Sequence, residues 1–148
     1  MTGQAAGAPW PSSAPPEARE ELVWELSGVG ELPRVRNEVR RFALARAEDV
    51  GPDAADLSDR LVLALDEMAS NALRHGGGGL VLAALRSTRD AWLVDVTDCA
   101  YTRPPSPAVG RDPSEGGLGL YLIAELAIAH GWYADIDCKH VWALIPRG

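Results

Sequence analysis

One stretch of the sequence places a carboxylate, a carboxamide and a guanidinium at helical spacing. Glu67 and Asn71 are four residues apart and Arg74 follows three residues later, so in an α-helix these side chains lie along nearly one line. A carboxamide oxygen is a ligand for Mg²⁺, and a nearby carboxylate can orient or deprotonate a nucleophile. Taken alone, the three residues are more typical of the solvated face of an amphipathic helix.

A glycine-rich run, Gly-Gly-Leu-Gly-Leu at 116–120, opens another predicted helix. Glycine lets a backbone approach a ligand closely, and a helix N-terminus presents free N–H groups to an anion. The run therefore predicts a position for a phosphate. It does not have the spacing of the dinucleotide fingerprint, and the sequence contains no P-loop. By itself the run is more typical of an ordinary helix start.

A third candidate is Asp98, which ends the predicted strand at 91–98. A buried carboxylate at a strand end can accept a hydrogen bond from an exocyclic amine. The alternative is an aspartate that closes a turn, which is common after strands.

The elements that must position these residues follow from the apolar pattern. Helices are predicted where apolar residues recur every three or four positions, and strands where they alternate. The predicted helices cover 31–47, 58–75 and 117–130, and the predicted strands cover 21–26, 80–86, 91–98, 132–137 and 140–145. A proline-rich loop at 99–115 precedes the third helix. Blocks of helices and strands of this kind predict an α+β fold with a mostly antiparallel sheet.

Composition limits the classes of protein that the chain can belong to. The 148 residues suit one domain, which we expect at 20–148, after a flexible tail at 1–19 whose only aromatic residue is Trp10. The two cysteines cannot build a disulfide framework. A net charge of −7 argues against direct nucleic-acid binding. With neither a signal peptide nor a membrane-spanning run, the sequence predicts a cytoplasmic protein.

In combination the motifs resemble those of one family. The run Leu-Asp-Glu-Met-Ala-Ser-Asn-Ala-Leu-Arg-His-Gly at 65–76 is similar to the asparagine-containing helix of the GHKL (Bergerat-fold) ATPase superfamily. It looks most like the anti-sigma-factor serine kinase branch, whose pattern is E-x-x-x-N-A-x-x-H-G. Asp98 stands where that family has its adenine-binding aspartate, 117–120 resembles its second glycine box, and 139–144 resembles its closing strand. The resemblance implies a two-layer sandwich with three main helices on one face of the sheet.

The resemblance also implies an ATP site with Mg²⁺. Asn71 would coordinate the metal, and Glu67 would be the general base. Asp98 would hold the adenine amino group, and the backbone at Gly117 and Gly119 would admit the phosphates. The full set of implied cofactor-binding residues is Asn71, Arg74, Asp98, Ala100, Gly117, Leu118, Gly119 and Leu120, with Arg103 or Arg111 as further candidates for phosphate contacts.

The implied function is that of an ATP-dependent protein-serine kinase in a partner-switching circuit. Such a protein binds a sigma factor, phosphorylates an anti-anti-sigma-type antagonist, and forms a homodimer through its first helix. The sequence departs from the family after Asp98, where Cys99 and Ala100 stand in place of the first glycine box. This departure supports an alternative, a non-catalytic ATP-binding or protein-binding regulatory module, whereas the presence of Glu67 favours the kinase. A third possibility is a structural interaction domain in which the polar face carrying Glu67 and Asn71 is idle.

Overall fold

The computed structural model describes residues 10–46, 54–75, 79–98, 118–134 and 138–147. Within these ranges the chain forms five strands and three helices, with a short 3₁₀ turn at Val29–Glu31. In chain order they are β1 (Arg19–Leu26), α1 (Leu32–Ala45), α2 (Ala54–His75), β2 (Val81–Ser87), β3 (Ala91–Asp98), α3 (Leu118–Leu126), β4 (Ala129–Ala134) and β5 (Lys139–Pro146). The predicted α+β class is confirmed.

The five strands form one antiparallel sheet in the order β1-β2-β3-β5-β4. Its central strand, β3, places Trp92, Val94 and Val96 in the hydrophobic core. The core-facing residues alternate along the strand because successive side chains point to opposite faces of a sheet. The α2 helix packs against α1, α3 and three of the strands, which gives the predicted two-layer arrangement.

The α2 helix begins four residues earlier than predicted. The sequence predicted a start at Ser58, but the helix starts at Ala54 and Ser58 is buried within it. The extra turn places Leu57 in the core with no exposed surface, and this burial favours extending the helix. None of the described helices is long and apolar enough to cross a membrane.

The α3 helix is shorter than predicted, and the following strand begins earlier. The sequence predicted a helix to about residue 130, whereas α3 ends at Leu126 and β4 starts at Ala129. The amide of Ala127 still donates to the carbonyl of Ile123, but the amide of Ile128 donates to Leu144 of β5 at 2.8 Å. Pairing with β5 therefore overrides the helical pattern of this segment, as tertiary contacts often do.

The prediction of a flexible tail is wrong for residues 10–13, which pair with β4. The amide of Ser13 donates to the carbonyl of Trp132, and the amide of Trp132 donates to that of Pro11, both at 2.9 Å. The indole of Trp142 donates to the carbonyl of Ser13 at 2.8 Å. Trp10 is 3% exposed and packs edge-on against His130. Residues 1–9 lie outside the described residues.

The physical reason for this docking is the free edge of the sheet. An edge strand such as β4 presents unpaired backbone groups, which an extended segment can satisfy. An indole buries a large apolar area when it leaves water. Together these two gains order a segment whose composition alone predicts disorder.

Replacing Trp10 with alanine is expected to lower the free energy of unfolding by up to about 3 kcal/mol, because the substitution removes a buried indole. Trp10→Phe should retain most of the stability, because the indole Nε1 has no hydrogen-bond partner in the described part of the chain. Denaturant unfolding of the three proteins measures both effects. An alanine variant as stable as the wild type would show that the indole leaves its site in solution.

Candidate functional site

The structure brings two of the predicted motifs into contact. Gly119 is buried in the first turn of α3, directly against Glu67 of α2. A Cβ atom built on Gly119 would meet the Glu67 carboxylate and lie only 2.7 Å from the Glu67 Cβ. Only glycine leaves room for the carboxylate at this position. The start of α3 and the candidate base are therefore neighbours in the fold.

The environment of Glu67 raises the pKa of its carboxyl group above the ordinary value of 4.5. Partial burial is the largest cause, because it removes water that would stabilise the charged form. The charge of Asp66 raises the pKa further, while the nearby Arg74 opposes both effects. Asp66 itself is engaged by Arg36 of α1 at 3.2 Å. A carboxylate tuned in this direction is a more effective proton acceptor near neutral pH.

Asn71 lies one helical turn after Glu67 and is half-buried, whereas Arg74 is exposed. Within the ranges that the structure describes, no hydrogen bond or ion pair engages the Asn71 carboxamide. Its oxygen can therefore serve as a ligand for a hard cation. Arg74 lies close enough to Glu67 to influence its pKa, which places this guanidinium beside the same site.

Asp98 ends β3 and is 3% exposed. It is paired directly opposite Lys139, the first residue of β5. The Lys139 Nζ lies 3.9 Å from the Asp98 Oδ2, and both side chains are buried. The ammonium supplies a counter-charge that makes a buried carboxylate tolerable at this position.

The sequence predictions missed Lys139 as a site residue, although a signal was present. Lys139 alternates with three buried residues of β5, namely Val141, Ala143 and Ile145. In a strand this spacing places the lysine on the core-facing side. A lysine at such a position requires a buried partner, and here the partner is Asp98.

Of the other predicted site residues, two are described by the structure and four are not. Leu120 is 2% exposed and belongs to the hydrophobic core, so a ligand could reach only its backbone. Leu118 begins α3 and its role stays a prediction. Ala100, Gly117, Arg103 and Arg111 lie outside the described residues.

Of the α1 arginines, Arg34 pairs with Glu38 and Arg36 pairs with Asp66, each at 3.2 Å. These contacts lie on the surface or near it, where ion pairs contribute little to stability.

The polar groups of the candidate site fit a magnesium-bound nucleotide. The first turn of a helix carries N–H groups without intrahelical partners, which suits phosphate oxygens. Gly119 keeps this part of α3 free of a side chain, and Asn71 offers an oxygen ligand on the facing helix. The Asp98 carboxylate can accept a hydrogen bond from an exocyclic amine.

Residues 29–143 match the family model described as the histidine kinase-like ATPase domain. The match begins at the 3₁₀ turn and extends into β5, and it includes Glu67, Asn71, Asp98 and Gly119. A search of curated proteins finds no significant match to the chain.

Proposed function

The chain belongs to the histidine kinase-like ATPase domain family, and from this membership we propose that it is an ATP-dependent protein-serine kinase that regulates transcription by partner switching. Its substrate is a serine of an anti-anti-sigma-type antagonist. The contact between Glu67 and Gly119 carries the proposal. It positions a carboxylate of raised pKa at the helix start where the phosphates of ATP would lie.

Four residues of the candidate site have a role in this proposal. Bound ATP supplies the transferable phosphoryl group, and Mg²⁺ neutralises charge on the phosphates. Asn71 holds the metal, and Asp98, balanced by Lys139, accepts a hydrogen bond from the adenine amine. Glu67 takes the proton of the attacking serine hydroxyl. Phosphoryl transfer depends mainly on positioning and charge stabilisation, so this small set of groups is sufficient.

The partners in the proposal are a sigma factor, the antagonist and a second copy of the chain. The surface of α1 is available to a sigma factor or to a second copy, because Arg40 and Arg41 are exposed there and no described residue forms an ion pair with them. Such residues are available to an interface. The proposed compartment is the cytoplasm.

Replacing Asn71 with alanine is expected to weaken the binding of Mg-ATP by at least about tenfold, because the substitution removes a metal ligand. Titration calorimetry with Mg-ATP measures the effect. Asn37→Ala is a matched control, since Asn37 is exposed on α1, and it should bind Mg-ATP like the wild type.

The same titration separates the proposed function from its alternatives. Equal binding by wild type and Asn71→Ala would contradict the metal role of Asn71, and no binding by either protein would favour an interaction domain whose polar face is idle. Binding that depends on Asn71, without transfer to any serine-bearing antagonist, would favour a non-catalytic ATP-binding module. The ion pair between Asp98 and Lys139 engages the carboxylate assigned to adenine, so an absence of Mg-ATP binding would favour the protein-binding form of this alternative.

A further inference from the structure

A polar cavity lies at the end of the sheet opposite Asp98. It has a volume of about 320 Å³ and is lined by Arg19, Glu21, Arg46, Trp92 and Arg147. Trp92 and Asp98 are six residues apart on β3, which corresponds to about 20 Å along a strand. The cavity, which we call the arginine pocket, is therefore separate from the proposed ATP site.

The arginine pocket carries an excess of positive charge. Glu21 is the only carboxylate among the described residues that line it, and both carboxylate oxygens are already engaged. One accepts a hydrogen bond from Arg46 at 3.2 Å, and the other accepts one from the Ser87 hydroxyl at 2.7 Å. Among the residues that the structure describes, the other two guanidinium groups thus lack a counter-charge within the pocket, in a chain whose net charge is −7.

The two uncompensated arginines differ in how they are held. Arg147 donates to the carbonyl of Thr88 at 2.6 Å and stacks over the Trp92 ring at 4.4 Å. Arg19 is exposed, and no described residue forms an ion pair with it. The guanidinium of Arg147 is therefore held in place before a ligand binds, whereas that of Arg19 can move to contact the ligand.

Two buried donors of the lining residues have no acceptor. The Trp92 Nε1 and the Arg147 Nε make no hydrogen bond with the described residues, although both atoms are buried. Unsatisfied buried donors are uncommon in proteins and destabilise the fold. With three guanidinium groups and one carboxylate among its described lining residues, the pocket is rich in donors and poor in acceptors, which is the composition of an anion-binding site.

We propose that the arginine pocket binds a phosphate dianion, either free phosphate or the phosphate group of a monoester. Phosphate oxygens accept hydrogen bonds, and the planar guanidinium donates to them in pairs. A dianion matches the two uncompensated positive charges, whereas a carboxylate balances only one. This site goes beyond the proposed kinase function and does not depend on it.

The test is a titration of the full chain with inorganic phosphate. Binding is monitored through the indole N–H resonance of Trp92 in NMR spectra. Sodium chloride of equal ionic strength is the reference. Arg19→Gln should weaken phosphate binding by about tenfold, because it removes charge-assisted hydrogen bonds. Arg19 is exposed and unpaired among the described residues, so this variant should fold normally. Arg89→Gln removes the same charge from an exposed residue outside the lining and should bind phosphate like the wild type.

Other variants and other anions show where the phosphate binds and which ligand the pocket prefers. Asn71→Ala should bind phosphate normally, and loss of binding in that variant alone would overturn the proposal by placing the anion in the ATP site. Equal weakening by Arg19→Gln and Arg89→Gln would also overturn it, since only the overall charge would matter. Acetate binding as tight as phosphate would contradict the dianion. Tighter binding of phosphoserine than of phosphate would support the site and identify a monoester as the ligand, and the reverse order would identify free phosphate.

Discussion

Replacing Glu67 with glutamine is expected to slow phosphoryl transfer to a serine by about 10²- to 10⁴-fold, the usual contribution of a general base. The carboxamide cannot take the serine proton. It has nearly the same shape as the carboxylate, so the contact with Gly119 and the binding of ATP should be retained. Single-turnover transfer to a serine-bearing antagonist, with calorimetry of ATP binding beside it, measures both expectations.

The raised pKa of Glu67 adds a dependence on pH. The wild-type transfer rate should fall as the pH decreases through a value above 4.5, because the base becomes protonated there. The residual rate of Glu67→Gln should not show this decrease. Glu125→Gln is a suitable control, since Glu125 is an exposed carboxylate of α3. Transfer by Glu67→Gln at the wild-type rate would disprove the base role.

The same residue predicts an effect on stability with a defined sign. The pKa of Glu67 is raised on folding, so the folded state binds more protons than the unfolded state. Stability therefore decreases as the pH rises through the interval between the two pKa values. Glu67→Gln should unfold at slightly higher denaturant concentration than the wild type at neutral pH, and this gain should disappear in acid. The gain is small because solvent screens a partly exposed carboxylate.

Replacing Gly119 with alanine is expected to reduce transfer at least as far as Glu67→Gln does. The new methyl group would occupy the space of the Glu67 carboxylate, so either the base or the start of α3 must move. Alanine gains about 1 kcal/mol of helix propensity over glycine, but overpacking a tight contact costs about 1–3 kcal/mol. We therefore expect the variant to be no more stable than the wild type and to bind ATP more weakly.

Gly30→Ala is the matched control, because a Cβ on Gly30 would meet no atom within 4 Å. This variant should retain transfer and ATP binding. Denaturant unfolding of Gly119→Ala, Glu67→Ala and the double variant tests the contact itself. Since the two residues touch, their effects on the free energy of unfolding should not add. Additive effects would show that the two side-chain positions do not meet in solution.

The local pattern of the sequence predicted the elements that carry the site. In α2, Leu61, Leu65 and Met68 recur at helical spacing and are buried, which leaves Glu67 and Asn71 on the less buried side. The bounds of β3, Ala91–Asp98, agree with the prediction because its apolar residues are flanked by turn residues. Periodicity determines which side of an element faces the core, so these features follow from neighbouring residues alone.

Contacts between distant segments were decided by the tertiary structure. Periodicity does not specify which strand pairs with which, or in what register. The pairing of β3 with β5 places Lys139 beside Asp98, and the edge position of β4 leaves backbone groups to which residues 10–13 bind. Because α3 packs on α2, glycine is the only residue type that fits against Glu67 at position 119. Each of these contacts depends on sheet order and helix packing, which arise only when the whole chain buries its apolar faces together.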